Sequence, residues 1–172
     1  MSSICSIVAR AGIALSLLLV AVPAGANGVG DVTGLPIPRF VSVKARPANV
    51  RVGPGTDYPL KWTFVRRFVP VEITAEYGDW RRVRDWDGSS GWILGALLSG
   101  RRTALAAPWL TGKTIALRSY AAAKAPLVAR VQPKVFVHLD DCDGQWCKVS
   151  VRGAGGYIRQ TRLWGVYPGE RL

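Results

Sequence analysis

Hydrophobic and polar positions alternate with a period of two over two separate stretches of the chain. Within residues 69–77, Val71, Ile73 and Ala75 share one parity and Glu72, Thr74 and Glu76 the other. Val135, Val137 and Leu139 alternate in the same way with Phe136, His138 and Asp140. That period is the mark of a half-buried strand. Gly78-Asp79 and Asp143-Gly144 then signal hairpin turns. Residues 80–85 and 146–152 read as the return strands, and further turns at 87–91 and 153–156 precede Trp92-Ile93-Leu94 and Tyr157-Ile158-Arg159. Beyond the N-terminal 26 residues no stretch holds a helical period; residues 121–125 are Ala-rich but too short. The pattern predicts an all-β fold of short strands and tight turns.

The two stretches belong to a longer internal repeat. Residues 49–60 align without a gap on 116–127 at an offset of 67, with identities at Arg51/Arg118 and Pro59/Pro126. Gly78-Asp79-Trp80-Arg81-Arg82-Val83 matches Gly144-Gln145-Trp146-Cys147-Lys148-Val149 at 66, and Gly91-Trp92-Ile93 matches Gly156-Tyr157-Ile158 at 65. The one-residue gaps fall between strands, as in a duplicated domain. Units of this size bury small cores and gain from packing together.

The run Asn49-Val50-Arg51-Val52-Gly53-Pro54-Gly55-Thr56-Asp57-Tyr58-Pro59, followed by Gly-Asp-Trp-x-x-Val and Gly-Trp-Ile, resembles the bacterial SH3-like domain family. The second unit is similar but diverged, with Tyr120-Ala121-Ala122-Ala123 in place of Gly53-Pro54-Gly55-Thr56. The resemblance implies tandem five-stranded SH3-like barrels and a non-catalytic, cell-wall or peptide-binding role. The expected units are a flexible segment over 27–38, a first barrel over 39–107 and a second over 108–172. These motif residues specify a fold better than a ligand.

Composition changes the picture in one respect. Lys and Arg total 23 against 11 Asp and Glu, giving +12. The N-terminus explains which partners that charge meets. Arg10, an apolar run over 11–22, Pro23 and then Ala24-Gly25-Ala26 have the order of a cleaved signal peptide ending at residue 26, and the run is short for a membrane span. Export to the periplasm or the outside is therefore expected, with no transmembrane segment in the mature chain. The expected partner is a cell-wall component, such as peptidoglycan peptides, or an envelope protein. A basic, Trp-rich surface also suits anionic polymers or nucleic acid, but an exported chain does not ordinarily meet cytoplasmic nucleic acid.

Catalytic and metal chemistry finds little support. One His and three Cys exclude the usual metal frameworks. Asp140-Asp141-Cys142-Asp143-Gly144 lacks the closing bidentate carboxylate of a calcium loop. Thr111-Gly112-Lys113-Thr114 has Ala107 where a phosphate loop needs its first Gly. His138, on the polar parity of its strand, reads as a surface residue. Gly53-Pro54-Gly55 reads as a tight turn. No cofactor is implied.

Two sets of residues remain. In the first unit Tyr58, Trp80 and Trp86, with Arg82 and Arg84, are the candidate ligand surface, by analogy with the aromatic-lined grooves of eukaryotic SH3 domains. In the second unit, Cys142 and Cys147 are the two cysteines left after cleavage, in an oxidising compartment. A four-residue connection would set them directly opposite, within disulfide reach. A two-residue Asp143-Gly144 turn would instead pair Cys142 with Gln145. Cys147 also shares strand parity with Val149, so an outward Cys147 would turn Val149 outward unless a bulge intervenes. A Cys142–Cys147 disulfide is nonetheless the expected pairing. At an offset of 66 the same positions hold Glu76 and Arg81, an opposite-charge pair.

Overall fold

A computed structural model describes residues 28–172, so the expected leader lies outside the described residues. The first sheet contains β3 (Arg39–Val43), β4 (Ala48–Arg51), β5 (Leu60–Phe64), β6 (Pro70–Tyr77), β7 (Trp80–Arg84), β8 (Ser90–Leu94) and β9 (Leu98–Ser99). The second contains β10 (Thr103–Ala106), β11 (Ile115–Arg118), β12 (Leu127–Val131), β13 (Phe136–Cys142), β14 (Trp146–Val151), β15 (Ala154–Arg159) and β16 (Leu163–Trp164). A short hairpin, β1 (Gly28–Val29) with β2 (Pro36–Ile37), precedes them.

The strand order is β5-β4-β8-β7-β6-β3-β9 in the first sheet and β12-β11-β15-β14-β13-β10-β16 in the second. These orders are identical strand for strand, so the repeat read in the sequence is a repeat of topology. A 3-10 turn follows the sixth strand of each copy, at Gly95–Leu97 after β8 and at Gln160–Arg162 after β15. Each barrel has its own apolar core: Val43, Val50, Val71, Val83 and Ile93 in the first, Leu117, Val137, Val149 and Ile158 in the second. Gly91 and Gly156 hold matching places where two strands cross closely. A Cβ at Gly91 would lie 2.6 Å from Val50 Cγ1, and one at Gly156 2.6 Å from the Arg118 carbonyl.

The loop after the second strand of each copy, β4 and β11, differs in sequence but keeps the same hydrogen bonds. In the first barrel, Val52 N–H donates to the Pro59 carbonyl and the Arg51 guanidinium to the Tyr58 carbonyl at 2.7 Å. In the second, Ser119 N–H donates to Pro126 and Arg118 to Ala125 at 2.7 Å. The Arg shared by the two copies therefore ties down its own loop.

The expected domain limits need two corrections. Thr103–Ala106 belong to the second sheet, where β10 lies between β13 and β16. The boundary is thus at Gly100–Arg102, between β9 and β10, and not after residue 107. The similarity blocks begin later than β3 and β10, and those strands share no motif. The segment over 27–38, expected to be flexible, contains the β1–β2 hairpin, which Glu76 binds to the first barrel. Glu76 accepts hydrogen bonds from the backbone of Val32 (3.1 Å) and Thr33 (2.9 Å), from Thr33 Oγ1 (2.7 Å) and from Arg39 (2.8 Å).

Strand parity holds only up to a bulge. The register of β6 against β7 shifts between Ile73 and Ala75, and that of β13 against β14 between Leu139 and Asp141. One extra residue reverses the inward face. Glu76, read as outward, turns its side chain fully inside. Cys142, three residues after inward Leu139, is also buried. The bulge also resolves the parity of Cys147 and Val149: both face inward and both are buried.

Candidate functional site

The barrels pack on each other through the parity that the sequence assigned to solvent. Phe40 of β3 meets the Trp164 ring edge-on at 5.2 Å and lies 4.8 Å from Tyr167. Glu72, almost wholly buried, accepts from Arg84 Nε at 2.7 Å and from the Tyr167 hydroxyl at 2.9 Å. Burial, and then the hydrogen bond and charge of Glu72, push the Tyr167 phenol up, so it stays a donor. His138 is not a free surface residue: half-buried, it meets Phe68 edge-on at 5.2 Å. Phe136 packs on the first barrel's core. In the linker, Arg102 forks onto Glu170 at 2.7 and 3.1 Å and donates to the Gly165 carbonyl at 2.8 Å.

Two of the expected ligand residues belong to this interface. Trp86 carries the Lys134 ammonium 4.6 Å from its ring and lines an inter-barrel cleft with Phe64, Val69 and Phe136. Asp85 lies in the same cleft; burial raises its pKa, against the lowering effect of the Trp86 N–H. Arg84 is committed to Glu72. Trp80 is at the other end of β7, opposite Tyr77 and Leu94. Trp80 opens β7 and Trp86 lies in the turn beyond its far end, with about 13 Å of strand between Trp80 and Arg84, so the two rings sit at opposite ends of the strand. Tyr58 lies over Gly53, where any Cβ would collide with its ring, and is 47% exposed. Arg82 is exposed and pairs across the sheet with Trp92. The interface thus takes in Trp86 and Arg84, while Tyr58, Trp80 and Arg82 make none of these contacts.

Cys142 and Cys147 form a disulfide with Cα atoms 4.1 Å apart. They are direct cross-strand partners joined by residues 143–146. The Asp143 carboxylate accepts from the N–H groups of Gln145 and Trp146, both at 2.7 Å. Those two bonds, that of Trp146 first, hold its pKa below the usual carboxylate range and fix the longer turn.

The sequence reading passed over a trough of about 370 Å³ in the second barrel. Lys113 and Thr114 lead into β11, Arg118 ends it, Trp146 opens β14, Arg159 ends β15 and Arg162 ends the following 3-10 turn. Arg159 is paired with Trp146 in register, its guanidinium 4.8 Å from the indole. Leu110, Ile115, Ala116 and Ala123 supply an apolar wall. No Asp or Glu lines the trough, and among the described residues none of its four cations has a carboxylate ion-pair partner. The repeat carried a signal for it: at an offset of 65, Arg159 and Arg162 replace Leu94 and Leu97.

The bacterial SH3 domain family matches twice, over residues 44–100 and 111–165. The chain belongs to the bacterial SH3 domain family. Each match falls within one barrel and together they cover most of the described residues. No curated protein matches the chain. Solved structures that it resembles include NlpC2 from Trichomonas vaginalis, at 16% identity and a TM-score of 0.32, covering 74% of this chain and 48% of that one. NlpC1 from the same organism gives 16% and 0.31, covering 78% and 48%. The chain therefore spans about half the length of either. As SH3 domains the two barrels are binding modules.

Proposed function

We propose that this chain is an exported, non-catalytic binding module of the cell envelope that recognises peptidoglycan peptides. The observation that carries the reading is the presence of two bacterial SH3 domains accounting for nearly all of the described chain. Three features support it. The N-terminal sequence has the order of a leader ending at Ala26. The second core contains a disulfide, which persists in oxidising compartments. The excess of cations suits a wall rich in carboxylates. Among the described residues, no helix is long and apolar enough to cross a membrane. Tyr58, Trp80 and Arg82 in the first barrel are proposed ligand contacts, together with the trough of the second.

The reading is tested by co-sedimentation of the mature chain with purified peptidoglycan at low and high salt, beside a nucleic-acid shift assay. Retention on peptidoglycan at about 0.15 M salt, where the screening length is about 8 Å, supports it. Binding to any polyanion alike, lost uniformly as salt rises, would replace it with anionic-polymer binding through charge alone. An envelope protein as the partner would appear as capture from an envelope extract without retention on peptidoglycan.

A further inference from the structure

We infer that the two barrels have different ligand chemistry, and that the trough between Lys113, Arg118, Trp146, Arg159 and Arg162 binds a short peptide bearing carboxylates. This deepens the proposed function and rests on it only for the biological source of the peptide.

The argument starts from unsatisfied charge. Like charges crowded together repel, and the usual remedy in a folded protein is an interleaved carboxylate. The first barrel has three arginines paired in this way: Arg39 and Arg81 share Glu76, and Arg84 takes Glu72. In the trough no such remedy is present, although the chain has eleven acids to draw on. Arg118 spends one N–H on the Ala125 carbonyl and keeps the rest of its fork. The Arg159 guanidinium lies 4.8 Å from the Trp146 ring centroid, a cation–π contact that does not neutralise it. Guanidinium forks held in this way match carboxylates in a bidentate manner.

The second step is the comparison of the copies. Arg118 has its counterpart in Arg51, with the same loop contact, so it belongs to the fold of both barrels. Trp146 corresponds to Trp80, each opening its strand. Arg159 and Arg162 correspond to Leu94 and Leu97, at the end of the matching strand and 3-10 turn. The backbone is the same and these two side chains differ, so the anion-binding chemistry is particular to the second barrel. The apolar wall distinguishes between anions. Leu110, Ile115, Ala116 and Ala123 offer small aliphatic contact that a phosphate chain cannot use but an alanine-bearing peptide can.

The test is calorimetric titration of the mature chain with the synthetic tripeptide L-Ala-γ-D-Glu-L-Lys and with the same peptide fully amidated. Inorganic polyphosphate is the third arm. The acidic peptide is expected to bind, and the amidated one to lose about tenfold or more in affinity. Arg159→Leu with Arg162→Leu, which installs the first barrel's residues, is expected to cause a loss of the same order. Leu94→Ala is expected to leave acidic-peptide binding unchanged. Arg159→Gln with Arg162→Gln serves if the leucine variant fails to give the parent's circular dichroism spectrum. Equal affinity for the acidic and amidated peptides, or unchanged binding in the folded double variant, would overturn the inference. Tighter binding of polyphosphate than of peptide would also overturn it. Peptidoglycan co-sedimentation that survives the double variant would leave the envelope reading standing while this inference fell. Tripeptide binding without peptidoglycan retention would do the reverse.

Discussion

The Tyr167 hydroxyl donates to Glu72 Oε1 at 2.9 Å, and so joins the last turn of the second barrel to a buried carboxylate of the first. Glu72 also takes Arg84, so one acid serves both barrels. Removing the hydroxyl leaves a buried acceptor with one partner fewer. Tyr167→Phe, which keeps the ring against Phe40, is expected to cost about 1–2 kcal/mol. A urea titration would show it as a lower midpoint at an unchanged slope. The phenol pKa is raised above its ordinary 10.0. The contribution is therefore complete below pH 10 and is lost as pH rises beyond it, and the phenylalanine variant should lack that alkaline dependence.

Glu76 gives a second pH dependence with the opposite sign. Burial acts to raise its pKa, but hydrogen bonds from Thr33, Arg39 and Val32 overcome this and hold it at about 2, against an ordinary 4.5. A depressed carboxylate stabilises fully above its unfolded value and progressively less as pH falls through the folded one. The β1–β2 hairpin is therefore expected to loosen between pH 4.5 and about 2. Hydrogen exchange over residues 28–38 across that range measures it. Glu76→Gln should exchange faster at neutral pH and show no step in that window.

Cys142–Cys147 occupies the positions that Glu76–Arg81 occupies in the first barrel, on the same side of the same bulge. A covalent bond in one copy and an ion pair in the other both pin the hairpin to the core. The loop is short, so reduction is expected to cost about 2 kcal/mol. Thiol labelling of the denatured mature chain should give no reactive thiol before reduction and both cysteines afterwards.

The expected all-β fold, the duplication and the disulfide were legible because they depend on local pattern: strand alternation, turn residues and the spacing of two cysteines. The bulges at Thr74 and Asp140 were not. A single inserted residue leaves no mark in a period-two pattern, yet it reverses Glu76 and Cys142. Strands β3 and β10 were also hidden, because their places are set by pairing with β6 and β13 and not by a shared motif. The candidate site suffered most. Glu72, Trp86 and His138 read as surface or ligand residues, because nothing local records that a second barrel covers them.

Trp86 follows from that difference. Its ring supports Lys134 across the interface, an interaction of about 0.5–2 kcal/mol depending on desolvation. Trp86→Ala is expected to lower the thermal midpoint and leave peptidoglycan retention unchanged. Tyr58→Ala is expected to weaken retention with little effect on stability. Co-sedimentation and a thermal melt on each variant separate the two effects.

Co-sedimentation of the mature, disulfide-bonded chain with purified peptidoglycan at about 0.15 M salt, with an equal mass of nucleic acid as competitor, tests the central claim most directly. The account predicts that the chain pellets with peptidoglycan and remains there in the presence of the competitor. A chain that stays in the supernatant, or that leaves the pellet for the nucleic acid, would contradict it.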